Sequence, residues 1–216
     1  EITSKQPSRN YNEIKELIGE SELGKNIKKI ALSIFKTLAD AESKVHSIAA
    51  DELHFHEIGA VDSIIDIVGT AIGLDHFNVQ KIYSSPVPLG TGYIDTAHGK
   101  LPVPAPATLE ILRDVPIYTG DFDFEVTTPT GAAILKSSVD FFCKMPFLKV
   151  EKIGYGRGSR KLGPVPNLLR LLLCNEPTLS EKDFEDKKIG SAEHGFDFEN
   201  ITMLSTNIDD SSPEII

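Results

Sequence analysis

The chain has 216 residues, 40% of them apolar and 25% charged, a composition ordinary for a globular protein and sufficient for a sizeable core. Its net charge of −10 and isoelectric point near 5.1 argue against a nucleic-acid surface, which needs clustered Lys and Arg to meet phosphate. No apolar run is long enough for a bilayer and no signal-peptide pattern is present.

Two cysteines, Cys143 and Cys174, stand far apart without Cys-x-x-Cys spacing. Neither a disulfide scaffold nor a structural zinc site is indicated, and a reducing cytoplasm fits. Each borders an apolar run, so both are expected to pack as small hydrophobes.

Along the chain, Tyr11, Ile14, Leu17 and Ile18 have short helical spacing. From about Glu22 to Ala50, the positions Ile27, Ile30, Ala31, Ile34, Phe35, Leu38, Ala39, Val45 and Ile48 trace the stripe of a long amphipathic helix, with a break possible near Asp40. The next stretch, HFHEIGAVDSIIDIVG from His54 to Gly69, concentrates two imidazoles and three carboxylates. On a strand, His54 and His56 project to one face, whereas on a helix they diverge by about 200° and cannot share an ion. Gly59 breaks the segment. Asp62 or Ser63 then caps a helix with apolar positions Ile64, Ile65, Val68, Ala71 and Ile72, and Asp62 and Asp66 share a face one turn apart. A His-x-His-Glu turn running into these aspartates is a transition-metal donor set, since imidazole suits nickel, zinc, copper and iron.

Past Val79 the texture changes. Val79 to Ser84 reads as a strand, Pro86 to Gly92 as a rigid turn-rich connection, and Tyr93 to Ala97 as a strand that delivers His98. His98 is a candidate third imidazole ligand or a substrate contact. Pro104 or Pro106 fits a first helical turn, where a missing amide hydrogen has no effect. Thr127-Thr128-Pro129-Thr130-Gly131 starts another helix, with Thr128 or Thr130 as cap and free amides able to hold an anion. A strand from Phe147 to Ile153 runs into glycines and a basic tip at Arg157, Arg160 and Lys161, and Val165 to Leu173 returns as a strand. With no helix after the glycines, dinucleotide and P-loop folds are excluded, and a hairpin whose cations suit phosphate or carboxylate is the better description. Glu176 to Asn200 is charged and poor in aliphatics, as a linker is, and Ile201 to Ile208 resumes strand character.

These patterns predict an α+β fold with N-terminal helices followed by a mixed sheet with interspersed helices. The division expected is a helical segment 1–52, an α/β core 53–175 with the candidate site, a charged linker 176–200, and the start of a truncated C-terminal domain at 201–216. A chain beginning at Glu1 and ending at Pro213-Glu214-Ile215-Ile216 is expected to be part of a longer protein.

Five motifs in this order, HFHEIGAVDSIIDIVG, SSPVPLGTGYIDTAHGKLPVPAPATLEIL, TTPTGAAIL, KIGYGRGSR and TNIDD, resemble the LarC family over about Leu53 to Glu214. The resemblance implies a metal-inserting lyase that takes pyridinium bis-thiocarboxylic acid mononucleotide, activates it with CTP and inserts nickel to form a nickel-pincer cofactor. It also implies a glycine-containing strand before this chain and a CTP-binding domain after it, so 216 residues alone are expected to be incomplete for activity. Nickel-pincer enzymes such as lactate racemase are the implied partners, and a homo-oligomer is expected.

Residue chemistry then assigns His54, His56, Asp62 and His98 to nickel. It assigns His54, His56 and Glu57 to proton transfer, and Thr128, Thr130, Gly131, Arg157 and Arg160 to the nucleotide substrate. A non-catalytic nickel-storage or delivery protein is the alternative. A metal-dependent hydrolase on a barrel is disfavoured by the short chain and the lack of eightfold strand-helix alternation.

Overall fold

A computed structural model describes residues 9–53, 55, 61–96, 99–158 and 167–175, and the backbone of 201–205. The chain forms two compact units, residues 1–78 with 86–142 and residues 79–85 with 143–216. Its leading helices and small sheets make an α+β fold, as the pattern predicts. Among the described residues no helix is long and apolar enough to cross a membrane.

In the first unit, α1 (Tyr11–Glu20) starts with a capping box. The Asn10 side chain accepts from the Glu13 amide at 2.9 Å, and the Glu13 carboxylate accepts from the Asn10 amide at 2.8 Å. Two otherwise unpartnered amides are thereby satisfied. Tyr11, Ile14 and Ile18 are buried, while Leu17, counted with them by spacing, faces outward.

The second helix, α2 (Lys25–His46), runs unbroken. Asp40 does not interrupt it because its side chain points to solvent, where it pairs with Lys36 one turn earlier. Ser47, in the left-handed region at φ 55°, ends the helix. Ala31, Ile34, Phe35, Leu38, Ala39 and Ala41 are buried, and Val45 and Ile48 emerge from the core. A short 3-10 turn (Ala50–Glu52) follows.

Next comes α3 (Val61–His76). The helix begins one residue before the expected cap, so Asp62 sits inside the first turn, exposed, at the positive end of the dipole. The buried face is Ser63, Ile67 and Ala71, so of the expected stripe Ala71 is inside, Ile64 and Val68 are half-buried, and Ile65 and Ile72 are exposed. This helix is apolar nearly all round, so periodicity leaves its inward face undetermined, and packing against α2 decides it.

The rest of the unit is built on that frame. Pro86–Gly92, expected as a connection, contains strand β2 (Val87–Leu89), which pairs in parallel with β5 (Ile117–Thr119). Strands β3 (Tyr93–Thr96) and β4 (Gly99–Pro102) form an antiparallel hairpin. Pro106 occupies the first turn of α4 (Pro106–Ile111), and Thr128 caps α5 (Pro129–Ser138). The two-residue strand β6 (Phe141–Phe142) closes the unit. Helix α2 packs against α1, α3, α4 and α5, so its buried stripe is the centre of the core. Each such Leu, Ile or Phe contributes roughly 1.5–3 kcal/mol through the apolar surface it removes from water.

The second unit is a sheet with the order β1 (Lys81–Ser84), β9 (Ile201–Ser205), β8 (Leu168–Asn175), β7 (Lys149–Arg157). β9 pairs in parallel with β1 and antiparallel with β8, and β7 pairs antiparallel with β8, with an irregularity between Val150 and Lys152. Residues on both sides of the charged 176–200 stretch thus share one sheet. Tyr83, Leu172 and Cys174 form its buried cluster, with Cys143 and Leu148 packed against them. Both cysteines act as small apolar groups, and burial pushes both thiols above the usual range.

Candidate functional site

The most fully determined part of the expected site is the start of α5. Thr128 is in the extended region, as an N-cap is, and its Oγ1 accepts from the Gly131 amide at 3.2 Å. Pro129 has no amide hydrogen, and the Ala132 amide donates to the Thr128 carbonyl at 2.9 Å. The Thr130 amide is therefore the one first-turn donor that neither proline nor the cap removes. Thr130 and Gly131 are half-buried and Thr128 is exposed. The structure brings these three residues together at one helix end, with fewer open amides than the sequence suggests.

What fixes this helix end was missed by sequence reasoning. Thr127 Oγ1 donates to the Pro88 carbonyl at 2.7 Å. The Thr91 amide and hydroxyl both donate to the Phe122 carbonyl, at 2.7 Å and 2.9 Å. The Gly120 amide donates to the Leu89 carbonyl at 3.1 Å. A Cβ on Gly90 would overlap the Phe124 carbonyl, and Gly92 sits at φ +93° with the Asp123 carbonyl 2.9 Å from where its Cβ would lie. The Leu-Gly-Thr-Gly segment therefore lies flat against residues 120–124, and only glycine permits that approach. The Gly-x-Gly spacing beside Pro88 was the available signal, but it reads equally as an ordinary turn.

Asp62 and Asp66 are both exposed on α3, one turn apart. Just upstream, Leu53 and Phe55 are 3% and 2% exposed, and Phe55 meets Tyr11 edge-on with ring centroids 6.3 Å apart. The chain on either side of His54 is thus anchored to the helical core. His54, His56, Glu57, His98 and Arg160 lie outside the described residues. Among the described residues no group of three or more His, Cys, Asp or Glu comes together, and Asp62 is the one proposed metal ligand they include.

In the second unit, Arg157 is the last residue of β7, exposed and opposite Leu168. The glycines that precede it, Gly154 and Gly156, are within the strand rather than in the turn. The Gly158 amide extends the pairing to the Asn167 carbonyl at 3.1 Å.

A family model described as "Nickel insertion protein" matches residues 1–216. A pyridinium-3,5-bisthiocarboxylic acid mononucleotide nickel insertion protein of Acetivibrio thermocellus is 47% identical over 210 residues, 96% of this chain and 48% of that protein. A protein of the same name from Geobacillus kaustophilus is 43% identical over 211 residues, 96% of this chain and 49% of its own length. A protein of Geotalea daltonii is 44% identical over 215 residues, 100% of this chain and 51% of its own. The chain spans about half the length of these curated relatives. No solved structure matches it. Matched from its first residue to its last, the chain belongs to the nickel insertion protein family.

Proposed function

We propose that this chain is the metal- and substrate-handling part of an enzyme that inserts nickel into pyridinium bis-thiocarboxylic acid mononucleotide at the expense of CTP, releasing CMP and pyrophosphate. The observation that carries the reading is the family match over all 216 residues, joined to the His-x-His-Glu segment ahead of two aspartates. The CTP site belongs, in this proposal, to the half of the protein that the relatives have beyond this chain.

Nickel is here a substrate, taken up and passed on. His54, His56, Asp62 and His98 are proposed to hold it before transfer, through nitrogen and oxygen donors that exchange more readily than thiolates. Burial of Leu53 and Phe55 at alternate positions supports the two-residue periodicity that puts His54 and His56 on one side. A carbon-nickel bond forms as a ring proton leaves, and Glu57 or one of the two histidines is the proposed base. Thr128, Thr130 and Gly131 at the α5 start are proposed as one set of anion contacts for the substrate, and Arg157 and Arg160 as another, by the chemistry of amides and guanidinium groups toward phosphate and thiocarboxylate. Since ligating imidazoles must be neutral, nickel affinity is expected to fall as the pH drops through about 6.5.

The test is mass spectrometry of the full-length protein with CTP, nickel and the dithiocarboxylate nucleotide. The expected result is a nickel-containing product with matching CMP. Nickel retained by the protein with neither product nor CMP would instead assign it to storage or delivery.

A further inference from the structure

Two guanidinium groups on the β7–β8 hairpin stand on one face without a carboxylate between them. Arg170 lies directly opposite Tyr155, and Arg157 opposite Leu168. Residues paired across an antiparallel ladder share a face and side chains alternate along each strand, so Tyr155, Arg157, Leu168, Arg170 and Leu172 all project to one side. The two arginines are diagonal neighbours there, about 7–8 Å apart along the backbone and within reach of one ligand.

Arg170 borders the buried cluster of the sheet. Leu172, next to it on this face, is 7% exposed, Arg170 is half-buried, and its Nε is shut off from water without an acceptor. Among the described residues neither arginine has a carboxylate partner. Glu151, the one carboxylate among the described residues of this hairpin, lies toward its other end and accepts from Asn175 at 3.3 Å. Arginine does not lose its proton to relieve burial as lysine can. A permanent charge therefore stays in a partly dry position beside a second one, which weakens the fold unless an anion completes the pair. Strand direction also gives the pair a defined place. β1 runs parallel to β9, and β8 runs antiparallel to both β9 and β7, so β1, β7 and β9 finish at the same end of the sheet. Ser84 pairs with Leu204, and Ser205 with Arg170. The arginines stand where these three strands end, the position at which open sheets with parallel strands receive ligands.

We propose that Arg170 and Arg157 together hold a phosphate monoester dianion, the phosphate of the mononucleotide substrate, with the hydroxyl of the exposed Tyr155 as a further donor. Two permanent charges match the roughly −2 of a phosphate, whereas a thiocarboxylate supplies a single charge. Arg170 has the larger share, because its apolar surroundings strengthen the attraction, and the exposed Arg157 is screened by water. The assignment deepens the function proposed above and rests on it for naming the mononucleotide, while the pairing of two cations with a phosphate needs neither nickel nor CTP.

Calorimetry on the full-length protein tests it, with nicotinic acid mononucleotide as the probe and its riboside, which lacks the phosphate, as the comparison. The wild type is expected to bind the mononucleotide more tightly than the riboside. Arg170→Met should weaken mononucleotide binding by about ten- to a hundredfold and Arg157→Gln by less, with riboside affinity the same in both. Arg170→Lys keeps the stem and the charge without the fork, so it should recover part of the loss, and it carries the test if the methionine variant does not fold. The melting temperature of Arg170→Met should be unchanged or raised, since an uncompensated half-buried charge is removed. Mononucleotide affinity unchanged in the Arg170 variants, an equal loss for the riboside, or a loss confined to CTP overturns the proposal. So does a wild type that prefers the riboside or binds neither compound, or a lowered melting temperature with binding retained. Phosphate-dependent binding through Arg170 in a protein that forms no nickel product removes the insertion reading alone, and product from a protein whose binding ignores Arg170 removes this assignment alone.

Discussion

In the helical unit, Ile14, Ile34, Phe35 and Leu38 are fully buried around α2. In the sheet unit every residue of β7 is exposed, with Ile153 and Tyr155 at 58% and 63%. The difference shows where the chain keeps its rigidity. Helix α2 gathers α1, α3, α4 and α5 around one buried stripe, and this unit fastens Leu53 and Phe55 on either side of His54 and holds the α5 start through Thr127. The sheet instead joins β1 to β9 across more than a hundred residues, with a small buried cluster and an open outer strand.

This contrast predicts unequal responses to truncation. Phe35→Ala should destabilise the protein by about 3–5 kcal/mol in chemical denaturation, through lost burial and the cavity left behind. Ile153→Ala in β7 should stay within about 0.5 kcal/mol, as exposed positions usually do. Equal losses at both positions would end the distinction between a rigid helical unit and a lightly packed sheet.

A smaller effect is expected at the edge of the helical core. Thr128→Ala removes the acceptor for the Gly131 amide and should destabilise by about 1 kcal/mol, with Thr128→Ser restoring most of it. An unchanged melting curve for Thr128→Ala would mean that the α5 start is held by the Thr127 contact to Pro88 and not by its cap.

The smallest is electrostatic. Glu110 accepts from Lys44 at 2.8 Å and from Arg113 at 2.7 Å, and these two cations hold its carboxyl below the usual carboxylate range. A carboxyl lowered in the folded state binds fewer protons there than when unfolded, so its stabilisation is complete above the ordinary carboxylate pKa. It is lost as pH falls through the folded value. Glu110→Gln should therefore lower stability slightly at neutral pH and not at all in strong acid, with the wild-type and variant curves converging on acidification. A constant offset at all pH values would remove the ion pairs from the account.

Much of the helical unit was legible in the sequence because its stripes are amphipathic. Tyr11, Ile14 and Ile18, and Ile34, Phe35 and Leu38, alternate with charged residues, so their inward face is unambiguous. The same reasoning caught Ala71 on α3 but added the exposed Ile65 and Ile72 and missed Ile67, because isoleucines and valines surround that helix and only a neighbour can select among them. Thr128 as cap and Pro106 in a first turn were readable from residue type. The tight packing of Gly90 and Gly92 on residues 120–124 was not, since it depends on a partner strand thirty residues away. Strand β2 was hidden for a related reason: a three-residue parallel strand containing Pro88 resembles a turn until β5 is placed beside it.

The central claim is that the segment after α2 takes up nickel through His54 and His56. Calorimetric titration of nickel into the full-length wild type and into His54→Ala with His56→Ala, each checked for an unchanged circular dichroism spectrum, addresses it most directly. The account predicts a defined nickel-binding isotherm for the wild type and an affinity reduced by more than about tenfold in the double variant. Superimposable isotherms for the two proteins, or no nickel binding by the wild type, would contradict it.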